Sequence, residues 1–247
     1  KASSNATQGK PGNQPLIADA VTGTSQPSPQ ATQQAVLTQA KEGKASTRPA
    51  KQAGQEVFVF SIPLGAASLS NKANTYKPLV IKYAKAEQLD PALVMAIMHS
   101  ERSFNPMAKS HVPAYGLMQI VPTSAGKDAS QKVYGQQRLL SPSYLYNADN
   151  NIKMGCAYLN ILNYRYLAAI KNPESRAYCV ICAYNTGAGN VAKAFTGKTN
   201  VSQAAVKINQ LSPSQVYNHL LRNLPYAETR NYLKVVTPRY KGYQGEF

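Results

Sequence analysis

Glu101 is the carboxylate whose sequence surroundings most favour acid–base chemistry. The residues before and after it include an apolar set at helical spacing: Leu93, Val94, Ile97, Met98 and Phe104. That spacing places Glu101 on the same face of a helix. Asn105-Pro106 is expected to end the helix, which leaves Glu101 in the last turn, at the negative end of the helix dipole. Because an apolar setting and such a dipole favour a protonated carboxyl, Glu101 is a candidate general acid, although an ordinary surface glutamate fits the same spacing.

Among the other acidic residues from Glu87 onwards, only Glu228 combines a marked position with aromatic or apolar neighbours. Four others are interpreted as helix caps or solvated helix residues: Asp90, Asp149, Glu87 and Glu174. A lone glutamate on a helix, a glycine-marked loop and 16 tyrosines without tryptophan fit sugar binding, since sugar rings stack on aromatic faces.

The histidines and cysteines show no spacing typical of a metal or nucleophile site: His99, His111, His219, Cys156, Cys179 and Cys182. The last two cysteines form a C-x-x-C inside a helical pattern without a second ligand pair, so we interpret them as core thiols. The sequence leaves open one disulfide from Cys156 to this helix. We expect no metal and no cofactor.

The chain is strongly basic, with 27 Lys and Arg against 11 Asp and Glu and a formal net charge of +16. Residues 71–247 hold 21 basic and 8 acidic residues, or +13 of this charge. Such a protein is attracted to nucleic acid, an anionic membrane surface or an acidic cell-wall polymer. The basic residues are scattered and no nucleic-acid-binding motif is present, so we expect no nucleic-acid partner. No apolar run approaches the ~18 residues needed to span a membrane.

Three segments are predicted. Residues 1–54 are polar and of low complexity, and we interpret them as a linker or the remnant of an N-terminal region. Residues 55–71 form a connector in which positions 56–64 alternate like a strand, whose partner we expect to be missing or disordered. Residues 72–247 are expected to form an all-α globular domain.

Start and stop signals predict the helices of this domain. The predicted ranges are 76–88, 90–104, 147–170, 173–185 and 189–195, followed by helices that begin at Ser202, Ser212 and Pro225, the last ending near Pro238. Thr123 is expected to cap a short helix, and residues 127–146 to be mostly irregular.

Four ordered motifs resemble those of the lysozyme-like lytic transglycosylases. The first two lie in ERSFNPMAKSHVPAYGLMQIVPTSAGKD (101–128). The third lies in AYNTGAGNV (183–191) and the fourth in PYAETRNYL (225–233). Other details resemble the membrane-bound members of that family. The resemblance implies a goose-type lysozyme or soluble lytic transglycosylase fold over residues 72–247.

The resemblance also implies an activity, cleavage of the β-1,4 bond between N-acetylmuramic acid and N-acetylglucosamine in peptidoglycan, with a 1,6-anhydromuramic end as product. Glu101 matches the family's single catalytic acid and base. A two-carboxylate hydrolase needs a second acid at a distance of roughly 5–10 Å, and no other Asp or Glu lies in a comparable motif.

Further residues match family positions in the substrate site. Ser110 and Gln119 match positions that bind substrate or its acetamido groups. Tyr184 matches an active-site tyrosine, and Asn185 matches an asparagine whose role could equally be helix C-capping.

The ETR motif and the loop tyrosine leave alternatives open. For Glu228 and Arg230, substrate contact and a structural role in fastening the last helix are equally favoured. Tyr115 replaces a small residue and could stack on substrate or pack within its loop.

Two residues depart from the family pattern. Arg102 stands where the family has serine, and a cation beside Glu101 favours the ionised carboxylate. We expect Arg102 to face solvent, since adjacent helical side chains point in different directions. Thr186 replaces a glycine, which indicates that this position needs no positive φ.

The resemblance implies glycan strands of peptidoglycan as partner, with an anionic envelope surface as a further option, and a monomer in the periplasm of a Gram-negative bacterium. A lipid anchor to the outer membrane is expected in the full-length form. A hydrolytic muramidase and a non-catalytic wall-binding protein are the alternatives.

Overall fold

The computed structural model describes residues 30, 34, 46–52, 55–61, 66–110 and 113–247. Contacts divide the chain into two units, Lys1–Thr75 and Tyr76–Phe247. The domain boundaries expected from the sequence, 1–54, 55–71 and 72–247, stay predictions.

The first unit contains a two-stranded hairpin. Strand β1 (Ser46–Gln52) pairs antiparallel with β2 (Gln55–Ser61), so that Ser46 lies opposite Ser61 and Gln52 opposite Gln55. The strand predicted at 56–64 was expected to pair with a missing or disordered N-terminal region, and the structure instead pairs it with β1. Its partner comes from the segment predicted to be a linker. The sequence STRPAKQ of β1 is polar and contains proline, so nothing in it indicates a strand.

Ten α-helices account for most of the remaining described residues. They are α1 (Ala66–Ala86), α2 (Pro91–Arg102), α3 (Ala125–Tyr134), α4 (Pro142–Tyr146), α5 (Ala148–Ile161), α6 (Pro173–Thr186), α7 (Ala188–Thr196), α8 (Val201–Ile208), α9 (Pro213–Asn223) and α10 (Ala227–Tyr243). A π-helical segment (Leu162–Tyr166) extends α5, and a 3-10 turn (Gln244–Glu246) follows α10.

Helix α2 is the core helix of the second unit. It begins as the sequence predicts, with Pro91 at its first position and the Asp90 carboxylate accepting a hydrogen bond of 2.9 Å from the backbone N–H of Ala92. Every residue from Ala92 to Met98 is buried. The helix is therefore enclosed along most of its length, and its polar residues are confined to its last turn.

The end of α2 differs from the prediction. The helix stops at Arg102 because Ser103 adopts a left-handed conformation with φ 50° and ψ 46°. Phe104 also has positive φ, at 61°, and it lies outside the helix although it is 1 % exposed. Its ring stacks on His99 at a centroid distance of 5.2 Å. Burial of the aromatic ring thus turns the chain before the Asn105-Pro106 dipeptide.

Residues 127–146 are more regular than predicted. Helix α3 occupies the first part and ends at Gly135, whose φ is 73°. Small or polar side chains make up its buried face: Ala125, Gly126, Ala129 and Ser130. Because these residues carry little hydrophobic signal, the helical period was not visible in the sequence. The short helix α4 then begins at a Ser141 cap followed by Pro142.

Three further helix limits differ from the prediction. The α-helical part of α5 ends at Ile161, and the following π-helical segment ends before Ile170. Helix α8 is capped by Asn200 rather than Ser202. Helix α10 runs through Pro238 instead of ending near it, because its buried residues pack between α2 and α6. The local loss of one backbone hydrogen bond at a proline is outweighed by that packing.

The loop before α3 is fastened to α5 by Asn151, which is fully buried. Its Oδ1 accepts from the N–H of Met118, and its Nδ2 donates to the carbonyl oxygens of Tyr115 and Leu145, each at 2.8 Å. A Cβ at Gly116, whose φ is 77°, would overlap the Asn151 amide. The loop can therefore lie this close to α5 only with glycine at that position.

We predict that Asn151→Ala lowers the free energy of unfolding by about 2–5 kcal/mol, because it leaves one N–H and two carbonyl groups buried without partners. The matched control is Asn150→Ala, which removes a single amide contact of 3.4 Å and should cost less than about 1 kcal/mol. Urea unfolding of both variants measures the difference, and equal losses would contradict the role assigned to Asn151.

Candidate active site

A cleft of about 570 Å³ lies beside the end of α2. The loop before α3, the end of α6 and the first turns of α10 form its other walls. Six of the residues predicted for the site line it: Glu101, Ser110, Gln119, Tyr184, Asn185 and Glu228. The tertiary structure therefore brings together residues that are separated by up to 127 positions in the chain.

Glu101 is half-buried in this cleft, in the last turn of α2. The phenol of Tyr232 on α10 donates a hydrogen bond of 2.7 Å to its Oε1. Burial and the negative charge of Glu101 raise the pKa of Tyr232 well above its usual value, so the phenol stays protonated and remains a donor. Tyr232 is part of the predicted motif PYAETRNYL, but only Glu228 and Arg230 of that motif were considered for a role.

Helix α10 holds the end of α2 through two further contacts. Arg239 Nη1 donates to Ser100 Oγ at 3.0 Å, and the Tyr243 hydroxyl lies 3.1 Å from His99 Nδ1. Three consecutive residues of α2, ending at Glu101, thus each contact a polar side chain of α10. The position of the carboxylate depends on a helix that lies more than a hundred residues later in the chain.

Tyr184 supports the loop wall of the cleft. Its hydroxyl donates to the carbonyl oxygen of Met118 at 2.7 Å, and its ring lies 5.6 Å from that of Tyr158. Burial and the nearby charge of Glu101 raise its pKa well above the usual value, which keeps this phenol protonated too. Tyr184 therefore lies between the candidate acid and the backbone of the residue that precedes Gln119.

The amide nitrogen of Gln119 is bonded within its loop, and its amide oxygen is buried without a partner among the described residues. Its Nε2 donates to the carbonyl oxygens of Gly116 at 2.9 Å and Ala108 at 3.2 Å. Its Oε1 has no hydrogen-bond partner within the described part of the chain. The backbone at Gln119 has φ 49°, which is costly for a residue with a Cβ. The strained backbone and the two donated bonds fix the amide with one unused acceptor.

Asn185 does not cap α6, contrary to one of its two predicted roles. The helix continues through Thr186 and is followed by Gly187 at φ 89°. Asn185 Oδ1 instead accepts from the Thr229 hydroxyl at 2.7 Å, which ties the end of α6 to the start of α10. Thr186 is absent from the described non-glycine residues with positive φ, as its replacement of glycine indicates.

The two residues of the ETR motif have different environments. Glu228 is exposed, lines the cleft and lies in the first turn of α10. Arg230 donates through Nη1 to the carbonyl oxygen of Leu224 and so fastens the connection between α9 and α10. Within the described residues the two form no ion pair.

Tyr115 is not a residue of the cleft, which corrects its inclusion among the site candidates. It is 9 % exposed, and its backbone pairs with that of Ile120. Its ring packs edge-on against Tyr146 at a centroid distance of 5.7 Å. Packing of the loop therefore accounts for the aromatic side chain at this position.

Two residues named in the sequence analysis are not fully described by the structure. His111 lies outside the described residues. Arg102 closes α2, but its side chain is not among the described ones, so its expected orientation toward solvent stays a prediction.

The cysteines are core residues. Cys156, Cys179 and Cys182 are all free and buried. Burial raises the pKa of the Cys179 thiol to about 12, which disfavours the reactive thiolate. Over the described ranges no group of three His, Cys, Asp or Glu residues is placed to hold a metal ion.

A family model described as the transglycosylase SLT domain matches residues 78–207. This range covers more than half of the chain and includes α2, the loop and α6. The chain belongs to the transglycosylase SLT domain family. Helix α10, which supplies Tyr232 and Glu228 to the cleft, lies beyond the matched range.

Named relatives of this SLT-domain chain include membrane-bound lytic murein transglycosylase C from Klebsiella pneumoniae strain 342 and Haemophilus influenzae strain PittEE. The first is 44 % identical over 188 residues, which are 76 % of this chain and 51 % of the relative. The second is 41 % identical over 194 residues, which are 78 % of this chain and 53 % of the relative. The chain thus spans about half the length of these relatives.

Solved structures show the same fold. The 70 kDa soluble lytic transglycosylase SLT70 from Escherichia coli matches with a TM-score of 0.50 and 26 % identity, over 70 % of this chain and 24 % of that one. A complex of the 70 kDa soluble lytic transglycosylase with bulgecin A matches with a TM-score of 0.53 and 24 % identity. This match covers 73 % of this chain and 26 % of that one. These matches confirm the predicted all-α, lysozyme-like fold.

We predict that the SLT domain loses stability above pH ~10, where unfolded tyrosines ionise. Because the folded-state pKa of Tyr184 and Tyr232 is raised, the stability they contribute is present below that pH and is lost as the pH rises toward the folded-state value. Tyr232→Phe should reduce the slope of unfolding free energy against pH by up to about 1.4 kcal/mol per pH unit.

Urea unfolding between about pH 8 and 11, an interval that includes the ordinary phenol pKa of ~10, measures this slope. Tyr226→Phe is the control, since Tyr226 lines the same cleft but is 55 % exposed. A Tyr232→Phe variant that keeps the wild-type slope would contradict the prediction.

Proposed function

We propose that the chain cleaves the β-1,4 bond between N-acetylmuramic acid and N-acetylglucosamine without hydrolysis, as a lytic transglycosylase. The observation that carries this proposal is Glu101 at the end of the enclosed helix α2, held by the Tyr232 phenol in a sugar-sized cleft. The family and the names of the relatives support the same reaction.

In the first step the Glu101 carboxyl donates its proton to the glycosidic oxygen, and the bond from that oxygen to C1 of the muramic residue breaks. In the second step the Glu101 carboxylate accepts the proton of the muramic 6-hydroxyl as its oxygen attacks C1. The proton returns to Glu101, and the product is a 1,6-anhydro ring. No water is consumed, so one carboxylate is sufficient.

Tyr232 positions the reacting group. Its phenol donates to Oε1 of Glu101 and so fixes the orientation of the carboxyl group. A hydrogen bond to the ionised form stabilises the carboxylate needed in the second step. Because the phenol remains protonated, it serves as a donor throughout the cycle.

Gln119 and Ser110 are the proposed contacts for substrate acetamido groups. Gln119 lines the cleft, and its buried Oε1, unpaired within the described structure, is the acceptor that turns to the N–H of an acetamido group when substrate binds. Ser110 lines the same wall and can donate or accept. Asn185 and Tyr184 maintain the shape of the cleft through Thr229 and Met118.

Glycan strands of peptidoglycan are the proposed partner, and the envelope of a Gram-negative bacterium is the proposed location. The net charge of +16 favours binding to a polymer that carries stem-peptide and lactyl carboxylates. The relatives are named membrane-bound, and we infer a lipid anchor in the full-length protein. No described helix has the length and apolarity needed to cross a membrane. We infer that the domain acts as a monomer.

Glu101→Gln is expected to reduce release of anhydromuropeptides by about hundredfold to ten-thousandfold, because the amide cannot transfer the proton. Binding of glycan fragments should persist. Glu228→Gln is the matched control, since it makes the same change in an exposed residue of the same cleft and should retain most activity. Full activity of the Glu101 variant on purified sacculi, followed by mass spectrometry, would refute the assignment.

Tyr232→Phe is expected to lower kcat by about tenfold to hundredfold, the equivalent of one hydrogen bond to a charged group. KM should change little, because the phenol contacts Glu101 rather than an open part of the cleft. Steady-state kinetics with Tyr226→Phe as the control measures both constants. A variant that changes KM alone would show that the phenol binds substrate instead.

The position of Glu228 in the cleft favours a second candidate, a hydrolytic muramidase that uses two carboxylates. In that reaction a water molecule adds to C1, and the product is one water heavier than the anhydro form. Product mass therefore distinguishes the two reactions. A hydrolysed product that is lost in Glu228→Gln would establish the second candidate.

A further inference from the structure

A second groove lies on the side of α10 that does not face the cleft. Its volume is about 650 Å³, within the range of small-ligand pockets. Helix α10 forms its floor through residues at helical spacing: Lys234, Thr237, Pro238 and Lys241. The first turns of α6 and α9 form its walls. We call it the rear groove.

The rear groove contains two cations. Lys234 and Lys241 are both exposed and lie two turns apart on α10, a rise of about 10 Å. Neither ammonium has an ion-pair partner among the side chains that the structure describes. Two such groups on the floor of the groove favour a ligand with separated carboxylates.

The wall formed by α6 carries one carboxylate. Glu174 in the first turn of α6 accepts a hydrogen bond of 2.5 Å from the phenol of Tyr178, which is itself 6 % exposed. The Tyr178 ring lies 5.1 Å from that of Tyr217 on α9. The buried phenol fixes the position of the carboxylate, which can pair with an ammonium group of a ligand.

The floor also offers groups that match a peptide backbone. Thr237 is 6 % exposed, and its hydroxyl has no hydrogen-bond partner in the described structure. Pro238 has no N–H, so the carbonyl of Lys234 lacks the donor that a regular helix supplies. At the start of α9, the N–H of Ser214 has no partner within the helix. The Lys234 carbonyl is the acceptor and the Ser214 N–H the donor for a peptide, whereas the Thr237 hydroxyl lies buried beneath the floor.

We propose that the rear groove binds a peptide with several carboxylates and one free ammonium, the composition of the peptide stems of peptidoglycan. The identity of the polymer rests on the proposed function. A neutral sugar would not use the two lysines, and a flat anionic membrane would not reach a concave wall that carries Glu174. When a peptide stem binds the rear groove and a glycan strand binds the cleft, the protein holds the polymer at two places. The local concentration of the strand at the cleft then rises without new contacts in the cleft.

The direct test is calorimetric titration of a sugar-free tripeptide that ends in diaminopimelate and has an acetylated N-terminus, so that its side-chain amine is its one free ammonium. Lys234→Gln/Lys241→Gln should bind it about tenfold more weakly than the wild type, the combined effect of two exposed charge pairs. The control Lys193→Gln/Lys198→Gln removes the same charge from two exposed lysines elsewhere and should bind normally. Absence of binding to the wild type, or equal loss in both double variants, would overturn the proposal.

The ammonium contact has its own test. Acetylation of the side-chain amine of the tripeptide should weaken its binding to the wild type and leave its binding to Glu174→Gln unchanged. Glutamine keeps an acceptor for Tyr178, so the wall is preserved. Equal weakening in both proteins would show that Glu174 does not contact the amine and would overturn the proposed orientation.

Turnover separates this proposal from the proposed function. Lys234→Gln/Lys241→Gln should lose activity on peptide-bearing sacculi and retain wild-type activity on glycan strands stripped of peptides. Anhydro products from stripped strands without any tripeptide binding would refute the groove and leave the reaction intact. Tripeptide binding without anhydro products from either substrate would support the groove and refute the reaction.

Discussion

A carboxylate can stand at the end of an enclosed helix only if other groups compensate for its lost hydration. In this protein, α2 is buried from Ala92 to Met98, and its C-terminal turn carries Glu101. The helix dipole at that end is unfavourable for a negative charge. A protonated phenol from α10 offsets part of this cost. The wall of the cleft formed by α10 follows from the need to place this helix against the end of α2.

The second wall of the cleft depends on a different kind of contact, the close approach of a loop to α5. The Asn151 amide replaces the regular hydrogen bonds that a loop lacks, and it binds backbone groups on both sides of Gly116. Gly155 on α5 leaves no room for a Cβ beside Met118. The strained backbone of Gln119 persists because these contacts and its own amide bonds fix it. A loop held in this way keeps the Gln119 amide in one orientation.

The proposed reaction and the proposed ligand site in the rear groove both involve α10. One side of this helix carries Tyr232, which positions Glu101, and another carries Lys234 and Lys241. The matched family range ends at residue 207, before this helix begins.

Sequence by itself determined the family and the all-α fold, and it predicted Glu101 as the acid. These follow from local patterns: the Asp90-Pro91 cap, the apolar run before Glu101 and the ordered motifs. It did not show α3, whose buried face consists of small residues, or β1, whose polar sequence carries no strand pattern. Only the tertiary structure decided that Tyr232 contacts Glu101, that Tyr115 packs inside its loop and that Asn185 ties α6 to α10. Such contacts join residues distant in sequence, and no local periodicity records which distant side chain will meet another.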